Sequence, residues 1–335
     1  MRSIVLTGIL FFSLSIFSQH KYNIMFYNVE NFFDVENNPN TADEEFLPTG
    51  ERNWNKYRMY DKNTKVGKVI INSGGWDLPV LVGLAEVESA TIGDILTKAS
   101  PLKELNYAYL HQESQDRRGI DVMLLYRKDY YKPISTHFYP VEYAEDSSFR
   151  SRDILYSKGL LGDDTLHVFV NHWPSKYGGA MKTIPLRKAA AYTLKKRTDS
   201  IMSLDPMAKI IIMGDLNDAA HEPSIVEALG AIRYKKKLPE KALVNLSWPL
   251  VDAGIGSHKY HGQWDVIDHI IVSKGLLEGE GLKTTEDAMQ VKDLNFLLED
   301  DERYLGKQPF RTYIGYSYHG GYSDHLPVMI ELKQE

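Results

Sequence analysis

Apolar runs in this chain repeatedly end on a residue that can bind a metal ion or move a proton. NIMFYN (23–28) ends on Asn28, with Glu30 two residues on. VLVGLAE (80–86) ends on Glu86, LHVFVNH (166–172) on Asn171 and His172, and KIIIMGD (209–215) on Asp215, with Asn217 following. Asp268 lies inside VIDHIIVS (266–273), and Asp324 and His325 open the last apolar run after a double glycine. A polar residue must stop a strand somewhere, but Lys, Ser or Gly would serve. The recurrence of Glu, Asp, Asn and His predicts one shared site at a strand rim, a common place for reacting groups in α/β proteins. Five carboxylates meeting there (Glu30, Glu86, Asp215, Asp268, Asp324) would raise one another's proton affinity. A hard divalent cation relieves that repulsion, and Mg²⁺ favours one or two carboxylates plus water and phosphate oxygens. Asn28, Asn171 and Asn217 add neutral donors, and His172 and His325 add imidazoles that can face an anion. The set fits hydrolysis at phosphorus by a water activated by metal and carboxylate. A nucleophilic triad of Ser323, Asp324 and His325 is set aside, because consecutive residues do not line up as nucleophile, base and orienter.

The elements that must position these groups follow from hydrophobic pattern. The five runs named above, together with DVMLLYR (121–127) and HLPVMIEL (325–332), are rich in Val, Ile and Leu nearly throughout. Such strands are covered on both faces, in layers of sheet and helix. Helices are expected at about 56–72, 89–97 and 184–203, the last with Pro185 in its first turn. No repeat, low-complexity tract or linker divides the chain, so residues 20–335 are read as one domain.

Arg2, an apolar run over 4–17 and small or polar residues near Ser18-Gln19 have the layout of a cleaved export signal over 1–19, too short to span a bilayer. The expectation is a secreted or periplasmic protein without a stable membrane anchor, acting as a monomer. The 335 residues include no cysteine, so any metal is held by oxygen and imidazole. The formal charge of −6 argues against a protein that coats nucleic acid by charge alone, though a nuclease needs only local contact. The basic run RYKKKLPEK (233–241) reads as a solvated loop.

The ordered motifs FYNVEN (26–31), GLAEVES (83–89), RRGIDVMLLY (117–126), VNHWPSKYGG (170–179), MGDLND (213–218), WDVIDHIIVS (264–273) and GGYSDHLPV (320–328) span nearly the whole chain. Together they resemble the endonuclease/exonuclease/phosphatase superfamily. That resemblance implies a deoxyribonuclease-I-like α/β fold, a four-layer sandwich of two packed mixed β-sheets flanked by helices. It implies that Glu86 and Asp324 belong to a metal site supported by Asn28, with Glu30 standing where many members carry aspartate. It further implies that His172 contacts the scissile phosphate, Asp215 deprotonates water, Asn217 donates to a phosphate oxygen, and Asp268 pairs with His325. The implied cofactor is Mg²⁺, with Mn²⁺ as an alternative. Nucleic acid is the expected substrate, with phospholipid or inositol phosphate, or a non-catalytic binding role, as alternatives. Arg118, Asn171 and Lys176 are expected on the substrate side, and Tyr177 and Arg187 in the same loop region could meet its distal part. Asp121 is read as structural, Trp173 and Trp264 as packing residues, and His258 among the histidines without ligand spacing. His269 is expected to point away from the site.

Overall fold

The computed structural model describes residues 20–334, so the expected export signal lies outside the described residues. The strands in chain order are β1 (Lys21–Phe32), β2 (Leu81–Val87), β3 (Tyr107–His111), β4 (Asp121–Arg127), β5 (Tyr131–Tyr139), β6 (Ile154–Leu161), β7 (Asp164–His172) and β8 (Lys209–Asp215). They continue with β9 (Ala231–Ile232), β10 (Leu243–Asn245), β11 (His258–Tyr260), β12 (Gln263–Asp265), β13 (Asp268–Ser273), β14 (Leu282–Lys283) and β15 (Gln290–Val291). Last come β16 (Leu298–Asp300), β17 (Lys307–Pro309), β18 (Tyr313–Ile314), β19 (Ser317–Tyr318) and β20 (Val328–Gln334). The three longest helices are α1 (Lys56–Gly74), α2 (Ala90–Ala99) and α3 (Ala180–Leu204).

Two mixed sheets form. One has the order β14-β20-β1-β2-β4-β3, with β15 also on β20; the other runs β5-β6-β7-β8-β13-β10-β9. The alternation along β1 shows why they stack. Ile24 and Phe26 enter a core shared with Val168 and Val170 of β7, Ile211 and Met213 of β8, and Ile270 of β13. Met25 and Tyr27, on the opposite face, pack with Val66, Val69 and Ile70 of α1 and with Ile92 and Leu96 of α2. Phe169, Ile210 and Ile212 turn to Ala190 and Leu194 of α3. Each central strand is buried on both faces, as its continuous apolar run requires, and the result is the expected four layers.

The expected helix at 184–203 begins a turn earlier, at Ala180, which places Pro185 beyond the first turn. Gly179, with φ 121°, starts the helix by accepting the Thr183 N–H at 3.2 Å. The structure adds strands β3, β5 and β6, and three short hairpins, β11–β12, β16–β17 and β18–β19. Among the described residues, no helix is long and apolar enough to cross a membrane.

Candidate active site

Strand register brings the reacting groups level. In the second sheet His172 of β7 pairs with Asp215 of β8, and Asp215 pairs with Asp268 of β13. Three side chains from three strands therefore form one row at the rim.

In the first sheet the regular alternation breaks at the same rim. Between the pairs Asn28–Ala85 and Phe32–Val87, three residues of β1 (Val29, Glu30, Asn31) face Glu86 alone on β2. Glu30, Asn31 and Glu86 take φ of 54°, 53° and 65°, conformations that are costly for glutamate. Such bulges re-aim side chains. Glu86 Oε2 accepts the Asn31 N–H at 2.8 Å. Its Oε1 faces Asn28 Nδ2 at 3.4 Å and His172 Nε2 at 3.8 Å. Asn28 Nδ2 also reaches Asp215 Oδ2 at 3.1 Å, tying the two sheets' rims together.

The opposite wall comes from the segment before β20. His325 donates through Nδ1 to Asp268 Oδ2 at 2.8 Å, and Ser257 Oγ donates to the same oxygen at 2.6 Å. His325 Nε2 lies 3.8 Å from Asp215 Oδ2 and 4.0 Å from Asp324 Oδ1. Burial alone would strip its proton, but Asp268, Asp215 and Asp324 together hold its pKa well above the ordinary imidazole value. His172 is the converse. Burial, then the charges of Arg152, Arg118 and His325, push its pKa well below the ordinary value. Its Nδ1 has no hydrogen-bond partner among the described residues, while Nε2 faces Glu86 and Asp215 at 3.8 and 3.7 Å, which favours the neutral Nε2–H tautomer. Asp215 is pushed up to about 7 by burial and by Asp268, against the pull of His325. Its Oδ1 accepts the Asn217 N–H at 2.9 Å.

Carboxylates crowd this rim: Glu30, Glu86, Asp215, Asp268 and Asp324 gather around Lys62, Arg311 and His325, while Arg152, whose charge also acts on Glu86, is already bonded to Asp116. A divalent cation would relieve the repulsion among them. His325 is held by Asp268 through Nδ1, and its Nε2 faces the oxygens of Asp215 and Asp324, a position suited to donating to an anion. Glu86 and Asp324 are the carboxylates open to the mouth of the pit, with side chains 15% and 23% exposed. This set fits a hard ion of the Mg²⁺ kind. Two tight groupings, Asp215–Asp268–His325 and His258–Asp324–His325, have candidate ligand atoms within 4.8 Å of one another.

Asn28, Glu86, His172, Asp215, Asp268, Asp324 and His325 thus converge as expected from sequence. Glu30 does not join them as a free ligand. Its Oε2 accepts the Thr312 N–H at 2.6 Å, and its Oε1 meets Arg311 Nε at 3.4 Å. The β1 bulge turns it into the protein rather than toward the pit. Asn171 is also internal: its amide donates to Met213 O at 3.4 Å and accepts from Trp173 Nε1 at 3.2 Å. Neighbouring residues on a strand point to opposite faces, so His172 and Asn171 cannot share the pit. Asn217, with φ 53°, donates one amide hydrogen to Trp173 O at 3.0 Å. Lys176 lies 3.4 Å from Asp218 Oδ1 and 3.6 Å from Glu222 Oε1, so its charge is already paired. Arg187 is fully buried, ion-paired with Asp218 at 2.7 Å and donating through Nη1 to Pro174 O at 3.5 Å; it pins loops instead of meeting substrate. Arg118 stays 48% exposed, 3.6 Å from Asp116, and its field reaches His172. His269 is buried away from the pit, held by Asn245, Ser247 and Asp218 O.

Sequence reading missed several groups. Arg152, buried, bridges Asp116 Oδ2 (3.0 Å), His172 O (3.2 Å) and Trp173 O (2.5 Å), fixing the strand end that carries His172. It lies just before β6, a strand that the hydrophobic pattern does not mark, and so carries no spacing signal. The His258 ring lies 4.8 Å from that of His325, tilted by 40°, and the two residues form an isolated bridge. The GSHKYHGQWD hairpin pattern (256–265) could have flagged it. Lys62, buried on α1, donates to Thr312 Oγ1 at 2.5 Å and Tyr322 O at 2.8 Å. Nothing in the helical pattern marks it.

A family model described as "Endonuclease/Exonuclease/phosphatase family" matches residues 23–334. Among solved structures, an endonuclease/exonuclease/phosphatase family protein from Bacteroides thetaiotaomicron aligns with TM-score 0.58 at 13% identity, over 95% of this chain and 99% of that one. Danio rerio TDP2 complexed with a single-strand DNA product aligns at 0.55 and 14%, over 93% and 98%. A mannosyl-6-phosphatase of Bacteroides thetaiotaomicron aligns at 0.55 and 14%, over 93% and 99%. At these identities the likeness shows the fold. Among curated proteins no sequence match was found.

Proposed function

The chain belongs to the endonuclease/exonuclease/phosphatase family, and from that premise we propose that it is an exported, Mg²⁺-dependent hydrolase of phosphodiester bonds, acting on nucleic acid. The observation that carries this reading is the row His172–Asp215–Asp268, closed by His325 and opened to solvent through Glu86 and Asp324.

In this reading Asp215 is the base. Its two oxygens are aimed by Asn28 Nδ2 and by the Asn217 backbone, and a carboxylate with proton affinity near neutrality suits proton abstraction from water. The water oxygen forms a bond to phosphorus, its proton passes to Asp215, the opposite P–O ester bond breaks, and the departing alkoxide takes a proton from solvent. His325 presents Nε2–H as a cationic donor to a phosphoryl oxygen, kept charged and oriented by Asp268, which Ser257 supports in turn. His172, neutral, offers a second Nε2–H donor at the same level. Glu86 and Asp324 would hold the metal ion, which when bound supplies charge stabilisation at the phosphoryl and leaving oxygens.

A nucleic-acid substrate draws support from the TDP2 neighbour solved with a single-strand DNA product. A second reading, a phosphatase acting on a sugar phosphate or inositol phosphate, draws support from the mannosyl-6-phosphatase neighbour. The two are separated by turnover of plasmid DNA, RNA, sphingomyelin and inositol phosphates, each with Mg²⁺, Mn²⁺ or chelator. The proposal expects Mg²⁺-dependent cleavage of DNA or RNA; turnover of phosphomonoesters alone overturns it in favour of the second. Export is checked by N-terminal sequencing of the native protein, which should begin near residue 20.

A further inference from the structure

Arg311 lies on the segment between β17 and β18, outside every motif singled out in the sequence. Its backbone is mounted rigidly. The Gly321 N–H donates to Arg311 O at 3.0 Å, Tyr322 N–H donates to Phe310 O at 2.5 Å, and Thr312 N–H donates to Glu30 at 2.6 Å. Its side chain spans two carboxylates of the site, with Nε 3.4 Å from Glu30 Oε1 and Nη2 2.8 Å from Asp324 Oδ2. It remains 44% exposed although Glu30 beneath it is buried.

A guanidinium has five N–H donors in a planar fork. These contacts use Nε and one hydrogen of Nη2, which leaves both Nη1 hydrogens and the second Nη2 hydrogen without an acceptor among the described residues. A residue needed only to neutralise two carboxylates could be a buried lysine, and Lys62 already occupies that role behind Glu30 and Asp324. Arg311 instead keeps a bidentate edge, the shape that matches phosphate. Its place relative to the chemistry is fixed by the chain of contacts. His325 Nε2 lies 3.8 Å from Asp215 Oδ2 and 4.0 Å from Asp324 Oδ1, and Arg311 holds the other oxygen of Asp324, with its charge reaching His258. It is therefore set one step away from the reacting phosphorus.

Building on the phosphodiesterase reading above, we propose that Arg311, braced by Glu30, grips a second phosphate next to the scissile one, which makes the preferred substrate a chain of phosphodiesters rather than an isolated phosphate ester. The arginine selects for a polymer, and Glu30 serves as its anchor.

The test compares full-length wild type with Arg311→Ala and Arg311→Gln on two substrates, a fluorescent single-stranded DNA oligonucleotide and bis(p-nitrophenyl) phosphate, which has only one phosphate. The substitution is expected to lower kcat/KM for the oligonucleotide roughly tenfold more than for the small diester, with the excess appearing in KM, while a loss shared by both substrates reports the broken ion pair with Asp324. In binding by anisotropy without divalent metal, the slope of log K against log salt should fall by about 0.7, the value of one lost contact to a single strand. Equal losses on both substrates, or an unchanged salt slope, overturn the proposal and make Arg311 a support for Asp324. Wild type that turns over the small diester but neither binds nor cleaves the oligonucleotide overturns this proposal while leaving diester hydrolysis standing. Wild type that cleaves neither defeats the functional reading itself, and this proposal with it.

Discussion

Replacing Gly321 with alanine tests how tightly the site is braced. Gly320, at φ 75°, makes the left-handed turn, whereas Gly321 is required by space alone. A Cβ there would lie 2.1 Å from Phe310 O and 2.3 Å from Arg311 O, while real Cβ atoms essentially never come within 3.0 Å of another heavy atom. The segment carrying Arg311 must then retreat by the difference, about 0.9 Å (3.0 less 2.1), a forced shift that costs about 1–3 kcal/mol by the usual scale of overpacking. The Gly321–Arg311 and Tyr322–Phe310 backbone bonds weaken as it moves, each worth about 1 kcal/mol. The expected total is about 2–4 kcal/mol. Because Asp324 and His325 follow within four residues, the same shift misplaces catalytic groups, and a displacement near 1 Å can lower turnover by about a hundredfold. Urea unfolding gives the stability change, and DNA cleavage at saturating Mg²⁺ gives the rate. An alanine variant with wild-type unfolding midpoint and rate would show that the segment yields freely, and the bracing account would be wrong.

Other perturbations act on single links. Asp268→Asn removes the charge that keeps His325 protonated and should lower kcat by roughly 10²–10⁴, by analogy with removal of the orienting carboxylate in a triad, with little change in KM; an equal change in KM alone would argue against a donor role. Asp121 is pushed up to about 7 by burial, so it is ionised above pH 4 in the unfolded chain but only above pH 7 in the fold. Its stability contribution is full below pH 4 and lost as pH rises through 7. Asp121→Asn should therefore be the more stable form at pH 8 by up to about 4 kcal/mol, with a gap that opens between pH 4 and 7 in urea titrations; a gap independent of pH would contradict this. Lys62→Met removes the buried charge behind Glu30 and should destabilise by about 3 kcal/mol, also read by urea unfolding. Wild-type stability in that variant would mean that Glu30 is neutral in the fold.

The sequence disclosed the strand ends because continuous apolar runs mark buried strands, and polar residues at their ends then point to a rim. β4 and β8 match their expected bounds, and the row His172–Asp215–Asp268 lies where those runs stop. What stayed hidden depends on local geometry. Glu30 reads as a ligand by its spacing from Asn28, but a bulge of β1 against Glu86 reverses its direction. Asn171 reads as a partner of His172 until strand alternation sends it to the opposite face. Arg152, Lys62, His258 and Arg311 are brought in by loops, a helix face and a hairpin, where neither period nor spacing announces a role. Pairing across long sequence separations decided these positions.

The most direct measurement of the central claim is the single-turnover rate of DNA cleavage by wild type and by Asp215→Asn, each with Mg²⁺ and with chelator, the folding of both checked by urea titration. The account predicts cleavage by wild type with Mg²⁺ only, and a loss of at least about a thousandfold in a stably folded Asn variant. Cleavage that survives chelation, or an Asn variant that cuts at the wild-type rate, would contradict it.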